Sequence, residues 1–510
     1  MSGAKPTGNS VVRTVLICLS ALLQIAWLVY ELMKLREHYA VIGVATSVLS
    51  LLVVFRVYGT RQNSAFKIFW FFIIALFPIM GLLFYALAGY SIGLGYIKKR
   101  FYASCRRRLS AMPEDGAAAD QLRQRDMRIA RQSEYISQWG TYPVYKGCPV
   151  TYFASAEAAL EAQKTALRGA ESFIFMEYFA IEDSRAFSDI KQILAEKARQ
   201  GVEVHLLYDD AGSLGYVNRA FTKQMQTLGI QCRVFNPIMP VLNIFMNHRD
   251  HRKLTVVDGR VGFTGGYNLA DEYFNYTSPY GHWKDTGVML EGAAVQSLTA
   301  MFLEMWDAMT GEGSDYSRYL LPAEGASGEG GYVQPYADSP LDEERVGEIV
   351  YLNMIKNAVD YVHITTPYLI LDDETISELT LAAKRGVDVR ILTPGIPDKK
   401  LVYQLTRSYY GPLVDCGVRI YEYTPGFNHA KMLVCDDETA VVGTINLDYR
   451  SLYLHFEDGV FMYDCPAVLE VEADMRACFA RSEDVTEKYA NRSHSLRIWQ
   501  SILRLMSPLM

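Results

Sequence analysis

The sequence predicts an α/β protein in which amino-terminal transmembrane helices precede two tandem α/β domains that build one pseudo-twofold site. Three observations carry that expectation. A five-residue pattern occurs twice at identical spacing, the order strand, helix, strand recurs around both copies, and the long apolar runs are confined to the amino-terminal region.

The first copy of the pattern is His251-Arg252-Lys253, then Asp258, then Gly265-Gly266-Tyr267-Asn268. The second is His429-Ala430-Lys431, then Asp436, then Gly443-Thr444-Ile445-Asn446. In both, Lys follows His by two residues, Asp by seven, Gly by fourteen and Asn by seventeen. Each fixed type is only roughly one in ten to one in fifty of average usage, so two copies are not coincidence. Residues 254–257 and 260–263 are β-formers flanking Asp258-Gly259, a dipeptide that favours a hairpin turn. His and Lys at i and i+2 of a strand share one face. One imidazole, one ammonium and the amide of Asn268 or Asn446 suit a tetrahedral phosphoryl group. Gly265 and Gly443 leave room for a phosphate beside the backbone. Two such faces supply two histidines, one to attack and one to protonate.

In chain order, residues 14–30 and 68–88 predict two membrane spans, and residues 40–55 a shorter candidate third. Pro78 and Gly81 lie within the 68–88 run, as transmembrane helices tolerate. Residues 1–97 are thus expected to be a membrane anchor. Lys98-Lys99-Arg100 and Arg106-Arg107-Arg108 follow, placing the rest of the chain on the cytoplasmic side, and residues 98–143 read as a basic juxtamembrane linker. The first domain is expected over 144–331, with strands near 173–179 and 201–208 around a helix at 189–200. The second, 332–510, repeats this order with strands near 362–368 and 386–392 around a helix at 375–385. A Gly-rich connection at 324–331 separates them. Near the carboxyl terminus, Ile498, Trp499, Ile502, Leu505 and Met506 recur at helical spacing. This predicts a helix packed on the domain, with an interfacial helix lying on a bilayer as the alternative.

A chain of 510 residues accommodates two or three domains. Its net charge of −7 argues against a nucleic-acid partner, whose phosphates call for a basic surface. The eight cysteines form no Cys-x-x-Cys pair, so they read as free thiols, and no metal site is expected.

The doubled pattern resembles the H-x-K-x4-D motif of the phospholipase D superfamily, with its following G-[GS]-x-N. A later carboxylate extends the match: Glu457 lies twenty-eight residues after His429, and aligning Gly287-Val288 with Gly459-Val460 puts Asp285 at the corresponding place. In the family that carboxylate orients a histidine. Over nearly the whole chain the resemblance narrows to bacterial cardiolipin synthases. It is carried by residues 76–85, by the block 247–253 with 265–273, by Thr366-Pro367-Tyr368 and by the ending 504–510. It departs at His455, where the family usually has Asn, and at Thr444, where Ser is commoner.

The resemblance implies a multi-pass enzyme of the bacterial cell membrane that transfers a phosphatidyl group between two phosphatidylglycerol molecules and releases glycerol. It implies two-step covalent catalysis, with His251 as nucleophile and His429 as acid and base. Lys253, Lys431, Asn268 and Asn446 would neutralise the non-bridging oxygens, with no cofactor or metal required. Asp258 and Asp436 complete the catalytic motif, although their place at the hairpin turn favours a structural part. Its alternatives are a phospholipase D-type hydrolase, transfer to another alcohol, and a non-catalytic membrane scaffold.

Overall fold

The computed structural model describes residues 39–60, 62–86, 94–112, 116–238, 248–320, 330–342, 344–491, 493–505 and 507–509, with isolated positions in 19–26. The expected span at 14–30 therefore lies almost wholly outside the described residues.

Among the described residues, no helix is long and apolar enough to cross a membrane. The run at 40–55 forms α1 (Tyr39–Tyr58). The run at 68–88, expected as one span, is broken into α2 (Ser64–Leu76) and α3 (Pro78–Phe84). The break follows from Pro78, whose ring drives the preceding Phe77 out of the helical region, to φ −133° and ψ 74°. Helix α3 then folds back on α2: a Cβ on Gly81 would stand 2.7 Å from Ile73 O and Ile74 Cα, a gap only glycine fits. Asn63 caps α2 by accepting the Ala65 N–H at 2.9 Å. Its amide also donates to Asp372 at 3.0 Å and to the Tyr453 hydroxyl at 2.8 Å, fastening this hairpin to the second half of the chain.

The basic run belongs to α4 (Leu94–Ala111) and is partly absorbed into the fold rather than left as a linker. Arg107 pairs with Asp307 at 2.9 Å and Arg108 with Glu304 at 3.4 Å, both acids on the buried helix α6 (Val295–Thr310).

The two expected units are present as two mixed sheets. In the first, β2 (Phe173–Tyr178), β3 (Glu203–Asp209) and β4 (Gln231–Phe235) run parallel. Antiparallel β5 (Lys253–Val257), β6 (Val261–Gly265), β7 (Gly287–Glu291) and β1 (Val150–Phe153) extend the other edge. The second repeats this with parallel β9 (Tyr361–Thr365), β10 (Asp388–Pro394) and β11 (Arg419–Tyr423). Its antiparallel members are β12 (Met432–Cys435), β13 (Thr439–Gly443), β14 (His455–Tyr463) and β8 (Tyr332–Asp338). Helices α5 (Arg185–Arg199) and α7 (Asp373–Lys384) make the equivalent crossovers. Register proves the equivalence: Gly265 pairs with Gly287, and Gly443 with Gly459. One boundary differs from expectation, because Tyr145–Lys146 pairs with β8 and joins the second sheet.

Each half reaches into the other. Arg249–Asp250 pairs in parallel with the start of β14, and Gly426–Asn428 with His282–Lys284. The backbone N–H of His251 donates to Phe456 O at 2.9 Å, and that of His429 to Lys284 O at 2.7 Å. So the chain just before each His-x-Lys is hydrogen-bonded to the opposite half.

At the carboxyl terminus α10 (His494–Arg504) presents the opposite face from the one expected. Gln500 and Leu503 are buried, and Gln500 donates to Arg407 O on α8 (Lys400–Val414). The apolar stripe faces outward, with Trp499 50% and Ile502 55% exposed.

Candidate active site

Both His-Lys pairs arrive at one buried centre, each at the mouth of a hairpin. His251 immediately precedes β5, and His429 and Lys431 precede β12, so the histidines sit just ahead of the strands rather than on them. All four side chains are buried.

The carboxylates are crossed between the halves. His251 Nδ1 lies 2.9 Å from both oxygens of Glu457, which belongs to the second half. His429 Nδ1 lies 2.7 Å from Asp285 of the first half. A carboxylate accepts, so Nδ1 of each ring carries the proton and Nε2 keeps its lone pair. Glu457 is itself held by the Thr444 hydroxyl at 2.6 Å and the Ser451 hydroxyl at 2.7 Å. Asp285 accepts the Thr286 N–H at 2.9 Å.

The lysines lie beside their own histidines. Lys431 Nζ is 3.0 Å from His429 Nε2, and Lys253 Nζ is 2.5 Å from His251 O. Burial lowers both ammonium groups, Lys253 to about 8 and Lys431 to about 7. The imidazoles respond in the same sense. Burial, followed by the neighbouring lysines, pushes His251 well below the ordinary value and His429 down to about 4. For Asp285 burial works upward, but the charges of His429 and Lys431 prevail and hold it below the usual range. At neutral pH the centre thus offers two neutral imidazoles, with the Nε2 of His429 facing Lys431 Nζ at 3.0 Å.

Aromatic rings fix the imidazoles from the sides. Phe179 meets His251 edge to face at 4.9 Å, while Tyr273 and Trp283 flank His429 at 5.2 Å and 5.4 Å. Beneath, Arg252 is neutralised by Glu177 at 2.6 Å and Asp250 at 3.2 Å.

Several expected assignments need correction. Asp258 and Asp436 stand outside this centre, at the far ends of their strands. Asp258, at φ 54°, accepts the N–H groups of Glu171, Ser172 and Phe173 at 2.7–2.8 Å. Asp436, at φ 56°, accepts those of Val359, Asp360 and Tyr361 at 2.7–2.9 Å. Each aspartate ties a hairpin turn to the entry of the neighbouring parallel strand, a structural task. Gly265 and Gly443 leave no opening for phosphate either. A Cβ on Gly265 would meet Thr286 O at 2.4 Å, and one on Gly443 would meet Asp458 O at 2.3 Å. Asn268 is spent on the fold, accepting from Ala180 N at 3.0 Å and donating to Tyr273 at 2.8 Å. Asn446 differs: its buried Oδ1 has no hydrogen-bond partner.

Sequence reasoning missed Ser451 and the task of Thr444. The site equivalent to Thr444 is Gly266, where a Cβ would come within 2.1 Å of Asp285 Oδ1. Only the duplication, read position by position, hinted at this asymmetry.

Comparison with known proteins agrees with this geometry. The family described as Cardiolipin synthase, PLD-like domain, matches residues 164–306 and 351–479, one segment in each half. Residues 48–89 match a Phospholipase D-nuclease N-terminal family. A cardiolipin synthase of Halalkalibacterium halodurans is 31% identical over 489 residues, covering 92% of this chain and 94% of that protein. An uncharacterized protein of Streptococcus mutans is 42% identical over 453 residues, 89% of this chain and 98% of its own. In fold, the chain is similar to the phosphatidylserine synthase of Haemophilus influenzae, with a TM-score of 0.58 and 14% identity over 74% of this chain and all of that one. With the family matched on both halves, and both His-Lys pairs converging at their junction, this chain belongs to the bacterial cardiolipin synthases of the phospholipase D superfamily and is a phosphatidyltransferase.

Proposed function

We propose that this enzyme transfers a phosphatidyl group from one phosphatidylglycerol to a hydroxyl of a second, forming cardiolipin and glycerol through a phosphohistidine. The observation that carries this reading is the crossed pairing of His251 with Glu457 and His429 with Asp285 around two buried lysines. In the first step His251 Nε2 attacks phosphorus, the bond to the glycerol oxygen breaks, and His429, which takes up a proton at Nε2 from solvent as the phosphodiester anion binds, gives that proton to the leaving oxygen. In the second, His429 takes the proton from the incoming hydroxyl, whose oxygen displaces His251 from phosphorus. Lys253 and Lys431 hold the non-bridging oxygens throughout.

Burial and the neighbouring lysines hold both imidazoles below the ordinary value and so keep a nucleophile unprotonated, and His429, at about 4, becomes an acid when a phosphodiester anion offsets the lysines.

Access to lipid is the second part of the proposal. Phe55, Ile68, Phe72 and Phe77 on and between the amino-terminal helices are each at least half exposed, as are Trp499 and Ile502 on α10. Such apolar surface is covered when it rests in a bilayer. We assign it to attachment at the cytoplasmic face of the cell membrane, with residues 144–331 and 332–510 as the two catalytic domains.

Purified protein in phosphatidylglycerol micelles tests the reaction. The expected products are a diphosphatidyl lipid and free glycerol in equal amounts. Phosphatidic acid as the dominant product would make the enzyme a hydrolase instead.

A further inference from the structure

Of the buried imidazoles that the mechanism does not use, His455 lies beside His251. His455 opens β14 and is 9% exposed, yet neither of its ring nitrogens has a hydrogen-bond partner. Its ring centre lies 5.5 Å from that of His251, and its Nδ1 is 3.6 Å from Glu457 Oε1, too far for a hydrogen bond. Burying an imidazole N–H unpaired is costly, so such a group calls for a ligand.

We propose that His251, His455 and Glu457 form an inhibitory site for a divalent transition metal of the zinc type. One donor atom from each residue lies within 4.8 Å of the others, and all three residues are buried. Two imidazoles and a carboxylate, with water in the fourth position, make a tetrahedral zinc set. Imidazole donors select zinc-like ions over magnesium or calcium, which prefer oxygen. The outer support that metal ligands require is present, because Thr444 and Ser451 already orient Glu457. Lys253 and Lys431 oppose a cation here, while Glu457, Asp285 and Asp458 offset them.

Binding replaces the proton that His251 Nδ1 shares with Glu457. The Nδ1–H bond breaks, a proton is taken up at Nε2 so that the ring stays neutral, and the metal accepts the Nδ1 lone pair, a Glu457 oxygen and a His455 nitrogen. No redox change is involved. With Glu457 drawn to the metal, His251 loses its hydrogen-bonded carboxylate, and its Nε2, now carrying the ring proton, has no lone pair with which to attack phosphorus. The site thus switches the enzyme off when zinc-type ions are abundant.

Inhibition rests on the proposed part of His251, whereas occupancy does not. The test therefore reads both. Full-length protein in detergent is titrated with Co2+, and the ligand-field absorption is followed. Wild type should develop the intense bands of a tetrahedral site at one equivalent, and the folded His455→Asn and His455→Gln variants should not. In parallel, Zn2+ should inhibit wild type, and the variants, each measured against its own metal-free rate, should need about tenfold more or beyond. Two variants guard against one failing to fold, with circular dichroism as the check. Absent bands in wild type, or bands unchanged in both variants, would overturn the site. Normal bands with no zinc inhibition would overturn the inhibitory role while leaving the site.

Discussion

The two halves of the active centre share a plan but not a composition. In the half around His251, the carboxylate is a glutamate that meets the ring with both oxygens at 2.9 Å and is gripped by two hydroxyls. In the half around His429 it is a shorter aspartate, one of whose oxygens meets the ring at 2.7 Å, with a backbone N–H on the other. Gly266 stands where the first arrangement has Thr444, because a side chain there would collide with Asp285. A duplicated motif has thus been given two environments, although burial lowers the proton affinity of both imidazoles. The lesson is that pseudo-symmetry supplies two equivalent groups, while the residues around them give each its own setting.

The sharpest way to break this comparison is to remove each imidazole in turn. His251→Ala and His429→Ala should each lower transfer by about 10³-fold or more. With an activated lipid carrying a nitrophenol leaving group, which needs little acid help, they should separate. His429→Ala should still give a burst and a phosphatidyl adduct on His251, and His251→Ala neither. The reverse pattern would exchange the two parts, and equal bursts would end the idea of one dedicated nucleophile.

Next in size is the crossing itself. Glu457→Gln and Asp285→Asn should each cost about 10²- to 10⁴-fold, since the amide no longer fixes the ring's tautomer or supports its charge. The consequence should appear in the opposite half. Glu457→Gln should abolish the nitrophenol burst through His251, whereas Asp285→Asn should preserve it and slow only reactions that need His429. Loss of the burst in Asp285→Asn alone would refute the pairing described here.

A smaller effect is expected where the halves are alike. Asp258→Ala and Asp436→Ala each strip three backbone N–H groups of their acceptor, and each should lower stability by about 1–3 kcal/mol. Denaturant midpoints should fall similarly while activity per folded molecule holds. A large drop in kcat at full stability would return these aspartates to the catalytic set.

The smallest effect is on pH dependence. His429, at about 4, and His455, at about 3, are both held below 6.5, mainly by burial. Each binds its proton more weakly folded than unfolded, so its stabilising contribution is full above 6.5 and is lost as pH falls toward the folded value. Melting temperature should therefore decline between about pH 6.5 and pH 4, and more gently in His455→Asn. An unchanged slope in that variant would mean that His455 is not held neutral by burial.

The sequence by itself determined the duplicated α/β order and the His-Lys pairs, because those features lie in local pattern and fixed spacing, whereas Glu457 and Asp285, at unequal distances from their motif histidines, were marked as histidine-orienting carboxylates by the family resemblance. It also drew attention to His455 and Thr444 as departures. Only the tertiary structure decided which carboxylate serves which histidine, since His251 and Glu457, which meet across the halves, are 206 positions apart. The same holds for Gly265 and Gly443, whose want of a side chain reflects the approach of a neighbouring strand rather than of a phosphate. Hydropathy likewise marked 68–88 as apolar, but the break at Phe77-Pro78 and the contact of Gly81 with Ile73 folded that run into a hairpin. Periodicity found the stripe on α10 but not its direction, for a helix turns to the solvent whichever face its neighbours leave uncovered, and here α8 took the side of Gln500 and Leu503.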